Sequence, residues 1–152
     1  MNLLYISSKS ELKVQINFRL PDNLEPTQYD LTIKPYVGVK PTAWPTEKDW
    51  TFEGTQVIHF TCKKPTNLIV FHSIGHDIDL AALVINSATD AGIDVIRALE
   101  KDEKRDFVTI TITRDCRAGA DYELTIKFTG VILDVLYGFY RSTYTDELGD
   151  KH

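Results

Sequence analysis

A two-residue alternation of apolar and polar side chains constrains the fold of this chain more than any other feature. In YELTIKF, residues 122–128, the apolar side chains share one side: Tyr122, Leu124, Ile126 and Phe128. Such alternation indicates a strand with one side buried. The pattern recurs in three further segments. The apolar side holds Val108, Ile110 and Ile112 in FVTITIT (107–113), Ile58, Phe60 and Cys62 in VIHFTC (57–62), and Tyr29, Leu31 and Ile33 in YDLTIKPYV (29–37). These segments are rich in β-branched and aromatic residues, as strands are.

Turn-forming sequences separate the predicted strands: PDNLEP (21–26), KKPTN (63–67) and RAGAD (117–121). The length of RAGAD suits a β-hairpin that joins the strands containing Ile110 and Leu124. Residues 38–49 contain two prolines and are predicted to form a loop. Many short strands, with turns between them and no long helix, predict an all-β fold, an antiparallel β-sandwich.

The segment DAGIDVIRALEKDEKR, residues 90–105, has two interpretations. It is either an amphipathic helix capped by Asp90, or a strand from Ile93 to Leu99 followed by a charged turn. Gly92 near its start and the strands around it favour the strand.

Composition limits the classes of partner. The chain has 152 residues, enough for one domain, and a net charge of −5. Because nucleic-acid binding depends on clustered lysine and arginine, we expect no nucleic-acid partner. No apolar run is long enough to span a membrane, and the first residues lack a signal-peptide pattern. The compartment stays open, with a cytoplasmic location favoured.

The two cysteines, Cys62 and Cys116, are far apart in sequence and form no close motif. Two cysteines without nearby histidines do not make a structural zinc site. We expect two buried, free thiols, although a single disulfide is open to an extracellular protein.

HSIGH has histidines at His72 and His76, the spacing of a zinc-binding helix. The glutamate that would follow the first histidine and activate water is replaced by Ser73. Gly75 weakens a helix, and the preceding LIVF indicates a strand. In a strand, residues four apart are too distant to bind one ion easily. We therefore predict a polar surface turn here, although Asp77 and Asp79 would be available as further ligands.

Other catalytic patterns are missing from the sequence. It has no glycine-rich phosphate loop and no Gly-X-Ser-X-Gly elbow. The sharpest single charge is Arg141 in GFYRSTY (138–144), which follows an apolar run. We expect Arg141 to pair with a buried carboxylate rather than to bind a ligand.

Three motifs in order along the chain carry a family resemblance: RLPDNLEPTQYDLTI (19–33), FEGTQVIHFTCKKPTNLIVFHS (52–73) and YELTIKFTGVILDVLYGFYRSTY (122–144). Together they resemble the N-terminal domain of the M1 zinc aminopeptidases, the aminopeptidase N-like group. The resemblance implies structural signature positions at Arg19, Pro21, Tyr29, Leu31, Phe52, Gly54, His72, Gly130, Gly138, Phe139, Tyr140, Arg141, Ser142 and Tyr144. The chain departs from the family at His76, where an apolar residue is usual, and at Cys116, where leucine is usual.

The resemblance also implies a domain organisation: an N-terminal extension over 1–18, a saddle-like β-domain over 19–145 and a tail over 146–152. In the family, catalysis belongs to the next domain. There a His-Glu-X-X-His helix and a further glutamate hold zinc, and a Gly-Ala-Met-Glu-Asn strand binds the substrate's amino terminus. Neither motif occurs in this sequence. We therefore expect no catalytic residue, no metal ligand and no cofactor in this chain.

Two functions follow from the resemblance. The first is a non-catalytic N-terminal domain that supports an M1 catalytic domain and shapes access to the peptide's amino terminus. The second is a free-standing β-sandwich module that binds a protein partner and has no peptidase activity. An independent enzyme that uses His72 and His76 is the weakest of the hypotheses.

The 131–144 region holds more apolar residues than one strand can turn inward: Val131, Ile132, Leu133, Val135, Leu136, Tyr137, Phe139, Tyr140 and Tyr144. We expect an exposed apolar patch that binds a catalytic domain or mediates self-association. The alternative, that the segment folds back and completes the core, stays open.

Overall fold

The computed structural model describes residues 17–37, 48–91, 96–136 and 138–149. Eight strands occur in this part of the chain: β1 (Leu24–Tyr36), β2 (Thr51–Cys62), β3 (Thr66–His72), β4 (His76–Ile78), β5 (Val84–Asn86), β6 (Ile96–Asp102), β7 (Phe107–Cys116) and β8 (Asp121–Val131). A 3-10 turn spans Leu80–Ala82. The described residues include no α-helix, so the all-β prediction is confirmed.

The strands form two antiparallel sheets. The large sheet has the order β1-β2-β8-β4, and β5 also pairs with β8. The small sheet has the order β3-β7-β6. Every strand pair is antiparallel, as the sequence predicts.

The core lies between the two sheets and follows the predicted alternation. From the large sheet it takes Phe60, Tyr122, Leu124 and Ile126, and from the small sheet Ile69, Ile110 and Ile112. The rings of Phe60 and Tyr122 stack across β2 and β8, with centroids 5.4 Å apart. Glu123 and Lys127 are exposed on the other side of β8. Burying one side of each sheet against the other removes apolar surface from water on both.

The predicted hairpin at RAGAD is wrong. β7 belongs to the small sheet and β8 to the large sheet, so residues 117–120 cross between sheets. The turn is fastened to the end of β2: the Cys62 N–H donates to Ala120 O at 3.0 Å, and the Gly119 N–H donates to Cys62 O at 2.8 Å. A hairpin would set the apolar sides of β7 and β8 next to each other on one sheet. The crossing sets them face to face, which buries both.

The strand interpretation of residues 90–105 is confirmed by β6, and the helix capped by Asp90 is wrong. The strand extends through Asp102, further than predicted, since its pairing with β7 continues to Phe107. Residues 92–95, where the strand was expected to begin, lie outside the described residues. The predicted loop at 38–49 also lies mostly outside them.

The predicted burial of one side of β1 is wrong. Tyr29, Leu31 and Ile33 are 57%, 55% and 40% exposed. They point to the same side as the core, because Ile58 pairs with Tyr29 across the ladder, but β1 is the edge strand of the large sheet. The strand also begins at Leu24, inside the predicted turn.

Phe107 is on the predicted face of β7, the threonine side, but is buried there, which the alternation does not predict. The ring of His72 packs edge-on against it with centroids 4.8 Å apart, and the Arg105 guanidinium covers it at 4.8 Å.

The two thiols are buried and free, as expected. Although distant in sequence, they meet where β2 and β7 end, and the Cys62 thiol donates to the Cys116 carbonyl at 3.5 Å. Burial raises the pKa of Cys116 to about 12, so its thiol stays protonated at neutral pH.

The alternation in β8 makes a quantitative prediction. Ile126 is 3% exposed in the core, so Ile126→Ala should lower the free energy of unfolding by about 2–5 kcal/mol. Lys127→Ala, on the exposed side, should change it by no more than about 0.5 kcal/mol. Denaturant melts of both variants measure this, and equal effects would show that the face assignment is wrong.

Candidate interdomain surface

The 131–144 region leaves the large sheet as a closed loop. Ile132 is buried, and its N–H donates to Trp50 O at 2.7 Å. Leu133 then forms a parallel bridge with Tyr140, and the Arg141 N–H donates to Leu133 O at 2.9 Å. Gly138 has φ +66°, a conformation that glycine adopts at little cost. We call residues 133–141 the C-terminal loop.

Arg141 closes this loop. Its guanidinium donates two hydrogen bonds to the Asp134 carboxylate, one of them 2.6 Å from Nη2 to Oδ2. The guanidinium also lies 4.5 Å from the centroid of the Trp50 ring, within the range of a cation–π contact. The predicted pairing with a carboxylate is therefore confirmed, but the carboxylate is exposed rather than buried. The planar guanidinium suits both contacts at once.

An aromatic cluster supports the loop from below. It consists of Phe52 on β2, His76 on β4, Phe128 on β8 and Phe139 in the loop. The Phe52 ring is the centre, with centroid distances of 5.4 Å to Phe139, 5.9 Å to His76 and 6.2 Å to Phe128. All three contacts are edge-to-face, the favoured geometry of aromatic pairs. Burial lowers the pKa of His76, so this imidazole is neutral at pH 7.

Two glycines leave room for two of these rings. Phe52 pairs with Gly130 and Gly54 pairs with Phe128 across β2 and β8. A Cβ at Gly130 would lie 2.3 Å from Phe52 Cζ, and one at Gly54 would lie 2.3 Å from Phe128 Cζ. Each ring therefore lies over the glycine of the opposite strand. Any side chain at either glycine would displace a ring of the aromatic cluster.

The loop and the residues on either side of it also present apolar side chains to solvent. We call the following residues the C-terminal apolar surface: Val131, Leu133, Val135, Leu136, Tyr140 and Tyr144. Leu136 is 83% exposed. Tyr137 lies outside the described residues. The two sequence hypotheses for this region thus apply to different residues. Ile132 is buried, and Phe139 packs against Phe52 with 43% of its surface exposed, while the C-terminal apolar surface faces solvent.

The other signature positions lie elsewhere. Arg19 and Pro21 are exposed ahead of β1, Tyr29 and Leu31 lie on the edge strand, and His72 ends β3. Ser142 is exposed just beyond the loop. The structure thus brings together only part of the signature set, at the β2–β8 end that carries the loop: Phe52, Gly54, Gly130, Gly138, Phe139, Tyr140 and Arg141.

The two histidines of HSIGH fall on different sheets. His72 ends β3 in the small sheet, whereas His76 begins β4 in the large sheet. The Nδ1 atom of His76 and the Ser73 hydroxyl are hydrogen-bonded at 3.3 Å. Among the described residues, no group of three or more histidine, cysteine, aspartate or glutamate side chains is arranged to hold a metal ion.

A cleft of 570 Å³ opens beside His76. Four charged side chains on its walls are paired: Lys48 pairs with Glu53, and the Lys101 ammonium lies 3.8 Å from the Asp77 carboxylate. The Arg105 guanidinium beside Asp102 holds the pKa of that carboxyl below its usual value. These paired charges supply neither a nucleophile with an adjacent base nor a carboxyl group kept protonated near neutral pH.

An ionic network surrounds the buried carboxylate of Asp90, and no sequence motif predicts it. Asp90 is 7% exposed and accepts hydrogen bonds from the Arg114 guanidinium at 2.9 and 3.2 Å and from the Tyr122 hydroxyl. The hydrogen bonds from Arg114 hold the pKa of Asp90 below its usual value. Arg114 also donates to Ala91 O at 2.6 Å. The network fastens the connection after β5 to β7 and β8, and the one sequence sign of it is Arg114, which follows Val108, Ile110 and Ile112 in the apolar row of β7.

The chain shares this arrangement of motifs with known proteins. The family model described as the Peptidase M1 N-terminal domain matches residues 25–152. Relatives include aminopeptidase N of Bos taurus, 32% identical over 85% of this chain, and aminopeptidase N of Canis lupus familiaris, 29% identical over 86%. Aminopeptidase 2 of Candida albicans is 31% identical over 98% of this chain.

The chain belongs to the M1 peptidase N-terminal domain family. It spans 13–14% of the length of these relatives. The matched domain is the N-terminal, non-catalytic part of M1 aminopeptidases. The family assignment agrees with the two-sheet antiparallel fold and with the resemblance that the three motifs carry. In the part of the chain that the structure describes, no helix is long and apolar enough to cross a membrane.

Two apolar residues of the C-terminal loop, Phe139 and Leu136, differ in packing and in exposure. Phe139→Ala should lower the free energy of unfolding by about 1 kcal/mol, because it removes the edge-to-face contact with Phe52. Leu136→Ala, its matched control, should change stability by no more than about 0.5 kcal/mol, since Leu136 is exposed. Thermal or denaturant unfolding measures both, and a destabilising Leu136→Ala with a neutral Phe139→Ala would reverse the assignment.

Proposed function

We propose that this chain acts as the non-catalytic N-terminal β-domain of an M1-type zinc aminopeptidase, and that its C-terminal apolar surface docks on the catalytic domain. Three of its relatives are named aminopeptidases, and the chain corresponds to about an eighth of their length. The zinc-binding helix and the amino-terminus-binding strand of the family are missing from this sequence. Hydrolysis is therefore assigned to the catalytic domain.

The observation that carries the proposal is the C-terminal apolar surface itself. Apolar groups of this number on one short segment are usually covered by a partner. The loop that bears them is held in place by the Asp134–Arg141 pair, by Trp50 and by Phe139 against Phe52. A surface fixed before binding loses little conformational entropy on docking. These features favour a permanent protein interface over a solvent-exposed turn.

In this role the domain has a positioning function. Docking through the C-terminal loop would set one edge of the β-sandwich beside the entrance to the peptidase site. The domain would then limit which peptides bring their amino terminus to the zinc. We propose residues 19–145 as the unit that does so, with a catalytic domain in cis as its partner. A protein partner other than the catalytic domain, or a second copy on this surface, is an alternative outcome of the test.

The docking test uses the full chain and a separately expressed M1 catalytic domain. Isothermal titration calorimetry should show binding of the wild type. Leu136→Asp combined with Tyr144→Asp should weaken that binding by about tenfold or more, because both charges would enter an apolar interface. Leu80→Asp is the matched control, since Leu80 is 52% exposed in the 3-10 turn, and it should bind like the wild type.

The outcomes separate the alternatives. Equal binding by the double variant and the wild type would remove the C-terminal apolar surface from the interface. The absence of binding by folded wild type would contradict the docking role and leave the β-sandwich with a different partner.

A further inference from the structure

Among the described residues, one long side of the large sheet has no strand paired to it. β1 is the edge strand of the order β1-β2-β8-β4 and has 13 residues. Within the described ranges, no strand pairs with its second side. Open edges are sites where another chain can add a strand.

The direction of the free backbone groups follows from the Tyr36 end of the β1–β2 ladder. Tyr36 O accepts from the Trp50 N–H at 2.8 Å, so the backbone of Tyr36 points to β2. Pro35, the preceding residue, lies opposite Phe52 in a register without a bulge. Because proline has no N–H to donate, it fits a position whose backbone nitrogen points away from β2, toward the open side. Backbone groups alternate in direction along an antiparallel strand. Ile33, Leu31 and Tyr29 therefore direct their N–H and C=O groups outward.

The same three residues expose their side chains. Tyr29, Leu31 and Ile33 form an apolar row on the core side of the sheet, where the small sheet leaves them uncovered. Natural edge strands are usually protected by charges that point inward or by being short. β1 is long, and its inward row over residues 29–33 is apolar.

We propose that β1 pairs antiparallel with β1 of a second copy, about a twofold axis through Thr32. Directly opposite residues of such a pair share a face and have Cβ atoms about 4.5–5.5 Å apart. With the axis at Thr32, Asp30 of each copy faces Lys34 of the other. On the apolar side, Leu31 of each copy faces Ile33 of the other. The pair thus joins opposite charges on one face and apolar side chains on the other.

The charges select this register. Moving the axis to Leu31 sets Asp30 opposite Thr32, and moving it to Ile33 sets Lys34 opposite Thr32. Axes between residues would set outward backbone groups against inward ones and break the ladder. Asp30 is also held in position, since it accepts from Gln28 Nε2 at 2.7 Å and from His59 Nε2 at 2.8 Å. An arbitrary extended peptide would supply the hydrogen bonds but not this reciprocal charge pattern.

The test is a charge-exchange series on the full chain, followed by sedimentation velocity from about 1 µM to 1 mM. The wild type should show a monomer–dimer equilibrium. Asp30→Lys and Lys34→Asp should each raise the dimer dissociation constant by about tenfold, since each sets like charges opposite at two places. The double variant should return to within about threefold of the wild type, because it restores both pairs in exchanged order.

Two controls locate the interface. Glu103→Lys changes charge in an exposed turn and should leave dimerisation unchanged. Leu136→Ser should also leave it unchanged, which separates β1 from the C-terminal apolar surface. A wild type that is monomeric throughout the range, or single variants that the double variant does not rescue, would overturn the proposal.

Hydrogen exchange gives a readout that does not depend on variants. The Leu31 and Ile33 amides should exchange more slowly as the protein concentration rises, while the Thr32 amide, already bonded within the large sheet, should not change. Exchange at Leu31 and Ile33 that is independent of concentration would also overturn the proposal.

Discussion

The two central strands of the large sheet depend on a pair of phenylalanine rings that each cover a glycine on the opposite strand. Phe52 lies over Gly130 and Phe128 lies over Gly54, and neither glycine has room for a Cβ. This reciprocal packing fixes the register of β2 against β8. It also turns the Phe52 ring so that its neighbours are His76 from β4 and Phe139 from the C-terminal loop. The end of the sheet and the loop are therefore one packed unit.

The C-terminal loop packs against this unit and does not continue the β2–β8 ladder. Past Val131 the chain leaves β8, and its position is set by Ile132 bonded to Trp50, by the Arg141–Asp134 pair and by Phe139. Apolar side chains that the sheet cannot bury are thereby displayed on a fixed frame. In the proposed role, such a frame would give the domain a definite orientation on a catalytic domain. The assignment to the M1 N-terminal domain family rests on the sequence match, and the docking role rests on this geometry.

The sequence alone predicts those parts of the fold in which local periodicity decides burial. The strict alternation of YELTIKF places Leu124 and Ile126 in the core, and the family motifs point to Phe52, Gly130 and Arg141. Periodicity does not show how far the opposite sheet extends. The alternation in β1 therefore predicts a buried apolar side, whereas Leu31 on that side is exposed. Nor does the length of a turn indicate which sheet the next strand joins, so the length of RAGAD predicts a hairpin although the turn crosses between sheets. The network at Asp90 joins residues distant in sequence, and its one local sign, Arg114 in the apolar row of β7, does not identify its partners.

Amide hydrogen exchange of Gly130→Ala tests most directly whether the aromatic–glycine packing holds the loop. The added Cβ must displace Phe52, and Phe139 loses its support. Our account predicts faster exchange at the Arg141 and Ile132 amides, which bond to Leu133 and Trp50, while amides of the small sheet such as Ile110 keep their wild-type protection. Unchanged protection at Arg141 and Ile132, or equal loss at Ile110, would contradict the account, since the loop would then be held by something other than the Phe52–Gly130 pair.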